Sequence, residues 1–127
     1  LHFQKKFPQG KLIRVSNGSI FDVAVDIRTG SKTYGKWFGA YLDDKKHQQL
    51  WIPPDFAHGF LVLSSFADVH YSCSNYYDPT SEKGISWKDA ELNIIWPKLL
   101  DNSRPIISSK DNQNLPLSEL NQNDLPE

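Results

Sequence analysis

Short extended segments broken by turn residues run along most of this chain, and that rhythm narrows the fold before any side-chain chemistry is considered. Lys11–Val15 leads into Ser16-Asn17-Gly18-Ser19, and an Asn-Gly pair between two apolar runs is the strongest short-range hairpin signal. Ile20–Ile27 then alternates, with Phe21, Val23, Val25 and Ile27 on one face and Asp22, Ala24 and Asp26 on the other; Gly30 closes it. Tyr34–Leu42 and Gln49–Ile52 read as two more strands, joined by Asp43-Asp44-Lys45-Lys46. Pro53-Pro54 stops the second of them, because proline has no N–H to give to a ladder. Gly59–Leu63, Asp68–Tyr77, Ile85–Trp87 and Ile94–Trp96 are further strand candidates, and only stretches such as Ser118–Leu120 have helical character. Strands at this spacing predict an all-β fold, an antiparallel sandwich or barrel with short helical turns. No internal repeat or domain linker interrupts it. Asn112–Glu127, rich in Asn, Gln and Leu-Pro, is expected to be a loosely held polar tail.

A chain of 127 residues with 39% hydrophobic and 13% aromatic content can bury one core. A net charge of -1 argues against broad attraction to nucleic acid or to an anionic membrane surface. No apolar run approaches the roughly 20 residues of a membrane helix. Cys73 has no second cysteine to pair with, which fits a reducing cytoplasm. The chain opens Leu1-His2-Phe3 and contains no Met, so its natural N-terminus is expected to lie upstream.

Candidate chemistry begins with the histidines. His2, His47, His58 and His70 are scattered, with no His-x-His pair of the kind that opens a metal site on a strand, so no metal is expected. Imidazole is also an acid–base group with an unperturbed pKa of about 6.5, a role that needs no clustering. His2 alternates with Leu1 and Phe3, and reads either as a buried strand histidine or as a working one. His58 follows Pro53-Pro54 and precedes Gly59, which reads equally as a capped turn or as a site approached closely by ligand. His47 lies among charged and amide residues and reads as solvated. Tyr71 shares a strand face with Val69 and Cys73, so its phenol points inward, as a core aromatic or as a neutral proton donor. Lys11 opens a strand, and a lysine aimed into a barrel calls for an anionic ligand or intermediate.

Several blocks in order along the chain are similar to the dTDP-4-dehydrorhamnose 3,5-epimerase family. Leu1-His2-Phe3-Gln4 resembles the end of that family's Arg-Gly-Leu-His-x-Gln signature. Gln9–Val15, Phe21–Arg28 and Gln49–Pro53 follow, then Phe56–Phe60, Asn75–Tyr77, Ile94–Pro97 and Ser109–Asp111. The resemblance implies a cupin-type, jelly-roll β-barrel over residues 1–111, lacking the family's N-terminal strands and followed by the 112–127 tail. It implies an epimerase that removes the proton at C3 and then at C5 of dTDP-4-keto-6-deoxyglucose and re-protonates from the opposite face, without cofactor or metal. The family's base matches His2, its carboxylate partner Asp111, its proton donor Tyr71, and the residue near the enolate oxygen Lys11. His58, Glu82 and Lys110 match positions lining the substrate site, and Asp22 a supporting acid on the inner face. A homodimer is implied too. The readings that compete are an epimerase of a single carbon of a related dTDP-keto sugar, a non-catalytic sugar-binding cupin, and a metal-dependent cupin oxygenase.

Overall fold

The computed structural model describes residues 1–100 and 103–127. Eight strands follow in chain order: β1 (His2–Gln4), β2 (Lys11–Asn17), β3 (Ser19–Asp26), β4 (Trp37–Asp43), β5 (Gln49–Ile52), β6 (Phe56–Val62), β7 (Asp68–Cys73) and β8 (Glu82–Gly84). A four-residue helix, α1 (Ser109–Asn112), and two single 3-10 turns, Leu117–Glu119 and Gln122–Asp124, come after them. The strands form a five-stranded sheet, β4-β3-β6-β1-β8, and a three-stranded sheet, β5-β2-β7, with antiparallel pairing throughout. Among the described residues no helix is long and apolar enough to cross a membrane.

The Asn17-Gly18 turn does not make the expected hairpin. β2 pairs with β5 and β7, and β3 pairs with β4 and β6, so the turn carries the chain from one sheet to the other. Both strands have apolar inner faces, and these bury more by facing each other across the barrel than by pairing edge to edge. Gly18 makes the corner possible. Its φ is +81°, and a Cβ there would lie 2.2 Å from the Phe66 carbonyl oxygen.

β3 is central, and the alternation along it divides two cores rather than core from solvent. Phe21, Val23 and Val25 face outward into a cluster with Leu1, Phe3, Ala57, Ile85 and Leu92. Ile20 and Ala24 face the interior between the sheets, with Ile13, Val15, Leu42 and Ile52. Burying each large aliphatic side chain stabilises the fold by about 1.5–3 kcal/mol. β1 follows the same rule: Leu1 and Phe3 belong to the outer cluster, which leaves His2 on the interior side.

Three expectations need correction. Tyr34 lies in a turn, and the β7 strand stops at Cys73, before Tyr76 and Tyr77. Ile85–Trp87 and Ile94–Trp96 are not strands; they are irregular segments pinned by the Trp96 indole N–H donating to the Trp87 carbonyl at 2.8 Å. The tail is not loose. Leu117 and Leu125 are buried in the outer core, where Leu120 also packs. Backbone and side-chain bonds fasten it further, Thr29 N–H to Pro126 O at 2.9 Å and Lys5 Nζ to Leu125 O at 2.7 Å. The outer face of the five-stranded sheet is apolar and must be covered, and the leucines between the tail's polar residues cover it.

Candidate active site

One end of the barrel interior is filled by aliphatic side chains; the other holds polar groups around a cavity of about 1090 Å³. His2, Lys11, His58, Tyr71, Glu82 and Asp111 all line that cavity. They come from five strands and α1, and both sheets contribute: Lys11 and Tyr71 stand on β2 and β7, opposite His2 and His58 on β1 and β6.

His2 is bracketed by two carboxylates. Its Nε2 donates to Asp111 Oδ1 at 2.5 Å, and its Nδ1 lies 3.5 Å from Glu82 Oε1. A carboxylate on Nε2 fixes the proton there and leaves Nδ1 with a lone pair. That Nδ1 is buried and has no hydrogen-bond partner. Asp111 reaches this position from α1, whose first turn is capped by Ser108 Oγ accepting from the Asp111 N–H at 3.1 Å. Gly84, opposite His2 on β8, lets that segment lie close, since a Cβ there would sit 2.3 Å from the Asn114 amide. Burial pushes the Asp111 carboxyl up, but the hydrogen bond and charge of His2 outweigh it, and the net shift is downward.

Glu82 is a diagonal cross-strand neighbour of His2, because Gln4 pairs with Glu82 and His2 with Gly84. Its Oε2 accepts from Lys110 Nζ and from the Tyr77 hydroxyl at 3.3 Å. Burial raises the Glu82 carboxyl, yet the Lys110 hydrogen bond and the His2 and Lys110 charges leave it below its ordinary value. It stays ionised at neutral pH.

A second histidine–carboxylate pair lies deeper. His58 Nε2 donates to Asp22 Oδ1 at 2.8 Å, with both side chains almost wholly buried. The Asp22 Oδ2 has no partner. The His58 ring meets the Tyr71 ring edge-on, with centroids 5.8 Å apart. Tyr71 points inward as the alternation requires, but it is 45% exposed because the cavity is open on its side. Burial of the hydroxyl, with the Asp22 carboxylate nearby, raises the phenol above its ordinary range and keeps it protonated. Lys11 is lowered by burial, against the pull of Cys73, Glu82 and Asp22. Buried cation, neutral phenol and carboxylate-held imidazoles thus face one cavity, an arrangement able to take a proton on one side and give one on the other.

Six of the eight positions singled out from sequence line this cavity; Lys110 and Asp22 reach it through their bonds to Glu82 and His58. Sequence reasoning missed Trp87 and Trp96, which line the cavity from irregular segments with no periodic signal. It also assigned no role to Cys73, which alternation along β7 puts on the Tyr71 face, or to Tyr77, which lies beyond the end of that strand.

The fold and site define an antiparallel, cupin-like β-barrel with an acid–base pocket at one end. More particularly, the chain belongs to the dTDP-4-dehydrorhamnose 3,5-epimerase family, whose model matches residues 1–119. It is 50% identical over 121 residues to the dTDP-4-dehydrorhamnose 3,5-epimerase of Escherichia coli, covering 94% of this chain and 64% of that protein. The crystal structure of dTDP-6-deoxy-D-glucose-3,5-epimerase from Legionella pneumophila, in complex with dTDP-4-keto-L-rhamnose, superposes with a TM-score of 0.94 at 46% identity, covering 100% of this chain and 66% of that one. A 3′-monoepimerase from Streptomyces bikiniensis, in complex with dTDP-quinovose, superposes with a TM-score of 0.84 at 30% identity, covering 92% of this chain and 58% of that one. The chain therefore spans just under two thirds of the length of such relatives.

Proposed function

We propose that this protein is an epimerase that inverts C3 and C5 of dTDP-4-keto-6-deoxyglucose, acting as a cytoplasmic homodimer. The observation that carries the reading is the pairing across one cavity of a carboxylate-held imidazole, His2 with Asp111, and a protonated phenol, Tyr71. A 4-keto group acidifies the hydrogens on both flanking carbons, so deprotonation needs only a base and a stabilised enolate. His2 is the base, through the Nδ1 that Asp111 leaves free. Asp111 steadies the imidazolium that forms. Lys11, partly buried in the same cavity, stabilises the enolate oxygen with its charge, an interaction worth more there than in water. Tyr71 delivers the proton from the other side. His58, held by Asp22, contacts the sugar together with Lys110, while Glu82 stands between Lys110 and His2. No redox cofactor or metal enters this scheme, and a chelator is expected to leave the rate unchanged.

The test is proton exchange in D₂O with the full-length protein. Deuterium should enter at both C3 and C5, and His2→Asn should abolish it at both while circular dichroism stays native. Deuterium at C3 alone would make this a single-carbon epimerase, like the 3′-monoepimerase of Streptomyces bikiniensis. Undiminished exchange in His2→Asn would remove His2 as base.

A further inference from the structure

A single base that works on two carbons in turn has a problem that one carbon does not pose. After the first inversion the proton from C3 is on His2, and Tyr71 has lost its own. His2 must shed that proton before it can attack C5. Its free nitrogen, Nδ1, is buried without a hydrogen-bond partner, so the proton has no direct exit to water.

We propose that Glu82 is the proton outlet of His2, resetting the base between the two abstractions; the proposal rests on the reading of His2 as base. Glu82 Oε1 is 3.5 Å from Nδ1, a carboxylate oxygen directly beside the buried nitrogen. Its other oxygen faces away, held by Lys110 and the Tyr77 hydroxyl. The Glu82 side chain is only 15% exposed, whereas that of Lys110 is 63% exposed, so the carboxylate bridges the buried nitrogen and the solvent side of the rim. Lys110 clamps one oxygen and thereby aims the other. The balance is simple. The C3 proton passes to Nδ1, then to Glu82 Oε1, then to bulk water, while the Tyr71 phenolate recovers a proton from water. No oxidant, reductant or other co-reactant is required. Glu82 acts through His2, as a relay and positioning residue.

Glu82→Gln in the full-length protein keeps the shape and removes the proton acceptor. With enzyme in excess over dTDP-4-keto-6-deoxyglucose in D₂O, inversion at C3 should proceed within about tenfold of wild type. Inversion at C5 should fall roughly 10²-fold, the lower end for loss of one proton-transfer group. The sugar inverted only at C3 should accumulate, and added formate should restore part of the C5 rate, since a small carboxylate can replace the missing acceptor. Equal slowing at C3 and C5 with raised KM and no rescue by formate would mean that Glu82 merely holds the sugar, and the proposal would be wrong. Glu82→Asp, which withdraws the same group by one methylene, serves if the Gln variant does not fold: a selective C5 defect supports the relay, and a uniform defect overturns it. A His2→Asn control separates the two levels. If that control still exchanges, the base has been misassigned; if it is dead while Glu82→Gln slows both carbons alike, only the relay fails.

Discussion

At the scale of single residues, Tyr71 and Asp26 illustrate opposite uses of a shifted group. Tyr71→Phe removes a hydroxyl and keeps the ring that meets His58 and Phe60. Stability should change by less than about 1 kcal/mol, since the hydroxyl faces the cavity and the ring contacts remain. The variant should still exchange deuterium at C3, with the proton returning to the face it left, while net inversion drops roughly 10²–10⁴-fold. Inversion near the wild-type rate would reduce Tyr71 to a packing aromatic. Asp26 lies outside this chemistry. It is buried at the end of β3 and accepts from Arg28, Ser31 and Thr33 at 2.6–2.9 Å. The Arg28 bonds outweigh burial, the hydroxyls add to them, and the carboxyl sits well below its ordinary range. A folded pKa below the unfolded value of about 3.9 gives stability that is fully present above that pH. It is lost as pH falls toward the folded pKa. Urea midpoints should therefore decline below about pH 4 in the wild type, and Asp26→Asn should start lower at pH 7 and decline less. Parallel acid limbs in the two proteins would show that other carboxylates carry the effect.

At the scale of elements, the sequence was most legible where a local rule and the tertiary structure agree. The spans of β2, β3 and β5 follow from alternation and from Pro53-Pro54, and the face that carries Tyr71 follows from alternation along β7. Alternation also set His2 on the face opposite Leu1 and Phe3, but that this face is the barrel interior depends on the outer core that covers the other one. What periodicity does not encode is which strands share a sheet. The Asn17-Gly18 signal is real chemistry, a positive-φ glycine, but it serves a corner as well as a hairpin. The pairing of Asp111 with His2 was legible only through family resemblance, since 109 positions separate them and no local pattern connects α1 to β1. The tail was misread because composition counts polar residues and not the spacing of the leucines among them. Ending the chain after Asn114 would uncover the surfaces that Leu117 and Leu125 bury, at about 1.5–3 kcal/mol each. Against a typical total of about 5–15 kcal/mol, that is a large share. Thermal melts of the shortened protein should show a Tm lower by several degrees or more. An unchanged Tm would mean that the tail rests on the core without supporting it.

At the scale of the whole molecule, the surface is not that of a finished monomer. Phe38 and Tyr41 on the edge strand β4 are 60% and 57% exposed, and Ile106 beside the cavity is fully exposed. Edge strands carrying exposed apolar side chains favour pairing with another chain. The open cavity is lined by Tyr71 and Cys73 of β7 and by Glu82 of β8, strands at the borders of two different sheets. A homodimer of the full-length protein answers both features, and a stable one needs about 800 Å² buried on each partner. Light scattering at micromolar concentration should return twice the mass of one chain. Melting adds a second, independent measurement, because a dimer that dissociates on unfolding is stabilised by mass action. Each tenfold rise in protein concentration adds about 1.4 kcal/mol of association free energy. For a chain of the relatives' size, that amounts to a Tm increase of about 2–4 °C per kcal/mol, a few degrees in all. A single-chain mass at every concentration, with a Tm that does not move, would overturn the dimer.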